Sequence, residues 1–122
     1  MIIQVSFDPE KYEEWILTAP YVRDTSIGRI EVPAGFITDL ASIPQQVWRR
    51  FPRWGRWSGA AIVHDYCYRE RPNQIDRATA DRVFLELMRE DQVRYGDYTI
   101  IYSAVRQFCD RPWNRCRQEQ KA

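Results

Sequence analysis

The chain is poor in the residues that build the commonest catalytic and metal centres. It has one histidine, His64, and three cysteines, Cys67, Cys109 and Cys116, in 122 residues. A single imidazole excludes a two-metal phosphohydrolase of the His-Asp type, which draws several histidines onto its ions. A structural zinc needs about four nitrogen or sulfur ligands, and three scattered thiols with one His do not make that spacing. An odd cysteine count predicts reduced thiols rather than a disulfide framework. No run approaches the roughly 20 apolar residues that span a bilayer. The opening MIIQVSFDPEKYEEW lacks a basic start and turns acidic at once, so no export signal is expected and a cytoplasmic location is. The net charge of +1 argues against a general nucleic-acid binder but leaves room for a local basic patch.

What is present describes a folded domain. A hydrophobic fraction of 44% can bury a core, and 29% charged residues is ordinary for a globular chain. The length predicts a single domain over 1–122. MIIQVSF, WILTAPYVR and GRIEVPAGFITD are β-prone and broken by Pro20, Gly28, Pro33 and Gly35. With DTSIG as a hairpin turn, they predict an antiparallel β-meander over 1–38. The helical half then runs over 39–110, followed by a basic tail at 111–122. Ser42 could cap a short helix that ends before Pro52. From Trp57 to Glu70, Trp57, Ala60, Ala61, His64, Cys67 and Tyr68 fall on one helical face. A further helix over 77–90 has the stripe Ala80/Asp81, Phe84 and Leu87/Met88. A last helix over 97–108 turns Ile100, Ile101, Ala104, Val105 and Phe108 inward. The fold class expected is α+β, strands first and a compact helical half after.

His64 lies on an apolar stripe. That fits either a satisfied core histidine or a catalytic base. Asp81 lies on the apolar stripe of the next helix, and a buried carboxylate is costly unless paired. If the two helices pack, Asp81 can bond one imidazole nitrogen and leave the other to accept a proton. Asp65 points about 100° around the helix from His64, toward a neighbouring loop. Asp39 sits in a turn before a helix. It is either a turn residue or, with Asp65 and the carbonyl of Leu40, part of a sparse oxygen site of the calcium type. Ser42, Ser58 and Cys67 remain formal nucleophile candidates beside His64.

The segment VWRRFPRWGRW interleaves Trp48, Trp54 and Trp57 with Arg49, Arg50 and Arg53 and holds no acid. It could lie at an anionic lipid interface, with indoles at headgroup level and guanidiniums on phosphates. It could also stack on single-stranded nucleic acid, or place its aromatics in the core. No sequence-specific nucleic-acid partner is expected.

VHDYCYR, 63–69, resembles the active-site helix of secreted phospholipase A2 enzymes, whose signature is His-Asp-x-x-Tyr. ADRVFLELM, 80–88, resembles the second helix of their bacterial and fungal members, and TDLAS, 38–42, their calcium loop. The chain as a whole also resembles an uncharacterised domain-of-unknown-function family common in phages and prophages. The motifs are VPAGFITDLASIP, WGR, HDYCYR and ADRVF. The phospholipase resemblance implies His64 as general base for a water, Asp81 as its orienting partner and Tyr68 in support. It also implies Ca²⁺ held by Asp65, Asp39 and the Leu40 carbonyl. The chain departs from that pattern: Ala61 and Ala41 stand where exported members carry a disulfide. Ala80 stands where animal enzymes carry the half-cystine facing the position of Cys67, and the glycine-rich calcium loop is missing.

The function these readings imply is a Ca²⁺-dependent, phospholipase A2-like ester hydrolase acting on a lipid or another acyl ester at a membrane surface. The competing expectation is a non-enzymatic phage virion or tail component, or a host-factor binder, that keeps the His-Asp pair as a core element. A third is a nucleic-acid-associated module using the Arg/Trp segment.

Overall fold

The computed structural model describes residues 3–7, 14–38, 55–70 and 75–108. Five short strands precede three helices: β1 Val5–Phe7, β2 Trp15–Leu17, β3 Tyr21–Thr25, β4 Gly28–Val32, β5 Ile37–Thr38, α1 Ser58–Glu70, α2 Arg77–Glu90 and α3 Tyr95–Phe108. The fold is therefore α+β, with antiparallel strands first and helices after.

The strands divide between two sheets rather than running as one ladder. β1, β2 and β5 form one sheet in that order, and β3 and β4 form a separate hairpin. All pairings are antiparallel. The hairpin turn lies where DTSIG predicts it, with Thr25 opposite Gly28 and two residues between. Gly28 sits at φ 112°, a conformation glycine adopts without a Cβ clash. The Thr25 hydroxyl donates to the Gly28 carbonyl at 2.7 Å, and Glu86 of α2 accepts from the Ser26 amide at 2.9 Å. On the hairpin's inner face Tyr21, Arg23, Ile30 and Val32 are buried, the period of two that a strand requires.

The helix readings are close to the observed spans. α2 covers the expected residues and is capped by Asp76, whose carboxylate accepts from the Thr79 amide at 2.6 Å. α3 begins two residues earlier than expected, at Tyr95. Its buried arc is Ile101, Ala104 and Val105, whereas Ile100 is 40% exposed. Ile100 lies one residue outside an i, i+3, i+4 arc, so its side chain falls at the rim. α1 is buried on more than one face: Ile62, Val63 and Asp65 join the expected stripe. The helix is sandwiched between α2, the hairpin and β5. The short helix expected after Ser42, and the basic tail, lie outside the described residues. Among the described residues no helix is long and apolar enough to cross a membrane.

One polar cluster and one close approach fix how the β3–β4 hairpin meets the helices. Arg23 of β3 is buried and forms a fork on Asp91, with Nη1–Oδ2 at 2.9 Å and Nη2–Oδ1 at 2.8 Å. The same guanidinium donates to the Tyr21 hydroxyl at 2.9 Å and to Glu90 at 3.2 Å. Burial works to lower the basicity of Arg23, but its bonds to Asp91 and Tyr21 outweigh it and raise it. The Tyr21 hydroxyl in turn sits over Gly59 of α1, where an added Cβ would lie 2.1 Å from the oxygen. Gly59 is thus a point of close approach between the hairpin and α1.

Gly59→Ala is expected to destabilise the fold by roughly 1–3 kcal/mol, the range for forcing extra volume into a packed site. Adding Tyr21→Phe should recover part of that loss by removing the clashing oxygen. Urea unfolding of the two single variants and the double variant measures the coupling, and strict additivity would contradict the close approach.

Candidate functional site

The helix pair does bring His64 and Asp81 together. His64 Nε2 lies 2.6 Å from Asp81 Oδ1, and the Tyr68 hydroxyl donates to the same oxygen at 2.7 Å. His64 and Tyr68 are one turn apart on α1, so both reach the same point on α2. The imidazole stacks on Phe84 at 4.7 Å between ring centroids, and Tyr68 lies against it at 4.2 Å. Asp81 is 0% and His64 1% exposed.

The other carboxylate oxygen is held from α3. Arg106 Nη1 donates to Asp81 Oδ2 at 2.9 Å, and Arg77 Nε lies 3.9 Å from that oxygen. Arg77 also donates to the carbonyls of Val105 and Arg106, tying the C-terminal turn of α3 to the first turn of α2. One carboxylate therefore collects contacts from all three helices. Burial alone would raise the Asp81 carboxyl. The hydrogen bond and attraction of His64, then the bonds from Tyr68 and Arg106, outweigh it and hold the group below the usual carboxylate range. The Arg106 guanidinium is raised by its bond to Asp81.

This arrangement fixes the proton on the imidazole. An ionised carboxylate only accepts hydrogen bonds, so the nitrogen facing Asp81 must carry the hydrogen. In the neutral ring the lone pair is then on Nδ1. His64 Nδ1 is buried and has no hydrogen-bond partner among the described residues. The ring thus presents a basic nitrogen away from the carboxylate that orients it.

Asp65 faces the other way, toward the first sheet. Its Oδ2 accepts from the Thr38 hydroxyl of β5 at 2.7 Å, and its Oδ1 lies 3.3 Å from Arg69 Nε. Arg69 also donates to the Ile37 carbonyl at 2.8 Å, and Phe36 packs edge-on against Tyr66 at 5.5 Å. Of the three expected calcium ligands, Asp39 and Leu40 lie outside the described residues. Of the Arg/Trp segment, Trp48, Arg49, Arg50, Arg53 and Trp54 also lie outside them. Trp57 is half-buried and packs against the core. Ser58 is buried at the start of α1, where its hydroxyl accepts from the Gly55 amide at 2.7 Å and closes the turn that leads into the helix.

Sequence reading missed Arg106, Arg77, Thr38 and Arg69. Arg77 was within reach of it: it stands four residues before Asp81 on one helix, the spacing of a helical ion pair. Arg106 was not, because its place beside Asp81 depends on how α3 docks.

A family model described as a protein of unknown function (DUF1353) matches residues 15–105. No curated protein and no solved structure matched the chain. The matched span includes the His64, Tyr68, Asp81 cluster and ends at Val105, one residue before Arg106.

Since Asp81 is held below its ordinary range, its ionised form stabilises the fold above the unfolded carboxyl pKa of about 3.9. That contribution is lost as pH falls through the lower folded value. Asp81→Asn should therefore reduce unfolding free energy most at neutral pH, by about 3 kcal/mol for a broken buried pair. The gap to wild type should close on acidification. Chemical denaturation at a series of pH values tests this, and a gap independent of pH would contradict it.

Proposed function

Because the chain belongs to the DUF1353 family, whose function is unknown, we propose its activity from the geometry of the site: a phospholipase A2-like hydrolase of carboxylic esters in which His64 is the general base. The observation that carries this reading is the imidazole held through Nε2 by Asp81, with Nδ1 buried and without a partner among the described residues. A buried acceptor left unmade costs about 1–3 kcal/mol. A water or substrate proton at Nδ1 would relieve that cost. His64 would take the proton at Nδ1 from the attacking water. Asp81 would hold the hydrogen on Nε2 and stabilise the imidazolium without becoming protonated itself. Tyr68 and Arg106 would keep the carboxylate ionised and fixed, and Phe84 would hold the ring plane. The ester would be presented at a lipid surface, with Trp57 the described member of the expected interfacial segment.

Calcium is the cofactor that the phospholipase resemblance assigns to this chemistry. The described part of its ligand set does not fit the ion by itself, since the Asp65 carboxylate is already bonded to Thr38 and neutralised by Arg69. A calcium dependence would therefore rest on Asp39 and the Leu40 carbonyl.

The second reading is a non-enzymatic phage virion, tail or host-factor-binding protein in which the pair is structural. It is favoured by the near-complete burial of the imidazole.

Fatty-acid release from phosphatidylcholine vesicles, with and without calcium, separates the two. The hydrolase reading expects release that His64→Ala lowers by about 10²–10⁴-fold, the usual worth of a general base. Equal release by wild type and His64→Ala, or none from folded wild type at any calcium concentration, leaves the structural reading. Calcium titration by calorimetry should give one site that Asp39→Ala removes. Heat that is unchanged in that variant would place any bound ion elsewhere.

A further inference from the structure

A second feature lies away from the His64 cluster and shares no residue with it. A cleft of about 340 Å³ opens between the start of α1 and the connection from α2 to α3, lined by Arg56, Trp57, Gln92, Val93, Arg94 and Asp97. Its volume is at the lower end of small-molecule sites, enough for one ring and a polar group and too small for a polymer. Trp57 supplies a flat apolar wall, and Val93, which also lines the cleft, is buried. Arg56 and Arg94 supply two guanidiniums against the single carboxylate of Asp97. That balance selects one anionic group rather than a polyphosphate chain.

The backbone beside the cleft carries an independent mark. α2 ends in a Schellman arrangement, with Gln92 N–H bonded to the Arg89 carbonyl and Val93 N–H to the Met88 carbonyl. The residue in the left-handed position is Gln92, at φ 61°, where glycine is ordinarily used. Its carbonyl accepts from Arg56 Nη1 at 3.3 Å, which joins the two sides of the cleft. A residue with a polar side chain thus takes the left-handed position at the rim of the cleft, where glycine is ordinarily used.

We propose that this cleft binds a small planar anion, an aromatic ring carrying one phosphate or carboxylate. The ring stacks on Trp57 and the anionic group lies between Arg56 and Arg94. The assignment does not depend on the hydrolase reading.

Calorimetric titration of the full chain with phenyl phosphate tests it, with benzoate and inorganic phosphate run beside it. One saturable site is expected for phenyl phosphate or benzoate, and whichever binds more tightly identifies the anionic group. Inorganic phosphate should bind more weakly than phenyl phosphate, because it lacks the ring. Arg56→Gln and Arg94→Gln should each weaken binding about tenfold, the worth of one charge-assisted hydrogen bond. Arg29→Gln on the hairpin should leave it unchanged. No saturable binding of either aryl anion overturns the proposal. So does equal affinity in wild type and the double Arg56→Gln, Arg94→Gln variant, or inorganic phosphate bound as tightly as phenyl phosphate.

Discussion

The helical half depends on one buried carboxylate. Asp81 has no access to solvent and yet is held ionised, because α1 and α3 deliver donors to its two oxygens. Removing water from a carboxylate costs several kcal/mol even after relaxation. The arrangement is stable only when the donors arrive together. His64 and Tyr68 come from α1 and Arg106 from α3, with Arg77 binding α3's last carbonyls to the same corner. Each donor alone would leave the other oxygen poorly served. The apolar stripes bring the helices together, but Asp81 limits how they can be arranged.

The same constraint produces the chemistry. A carboxylate saturated by fixed donors cannot also take a proton easily, so it holds the imidazole in one tautomer and leaves Nδ1 as the basic nitrogen. No separate device is needed to orient the ring, since Phe84 and Tyr68 pack against it as part of the core. The neighbouring Asp65 is used differently. Its side chain, one position along α1, leaves the helix interface and fastens β5 through Thr38. Two adjacent acid-base residues therefore serve two faces of one helix.

How much of this was legible beforehand follows from the range of each interaction. The hairpin at DTSIG and the helix over 77–90 were readable because turn chemistry and helical periodicity are local. The His64, Tyr68, Asp81 cluster was readable for a related reason: two apolar stripes each carried a polar residue that had to be satisfied. Arg106 was not readable, because an arginine on a helix flank is ordinarily solvated and nothing within its own helix marks it. Arg23 was hidden in the same way, as a charged residue at an inward strand position that conflicts with the alternation around it. The division of the strands into two sheets also escaped the pattern, since alternation fixes which face is buried and not which strand pairs with which. The calcium ligands Asp39 and Leu40 and most of the Arg/Trp segment lie outside the described residues.

The fork between Arg23 and Asp91 joins residues 68 positions apart in the chain. Closing a loop of that length must precede the reward from the contact, which makes it a late event in folding. The β3–β4 hairpin can close early because its pairing is local. Until α2 is complete to its last turn, however, the hairpin's inner face carries a guanidinium with no carboxylate to meet it, and that face must stay hydrated. During synthesis the strand half therefore emerges without a docked partner, and its lock to the helices is set only when Asp91 has left the ribosome. The Arg23–Asp91 lock is consequently the part of the hairpin–helix interface that waits for the end of α2, after α1 can already have met β5 and Tyr21.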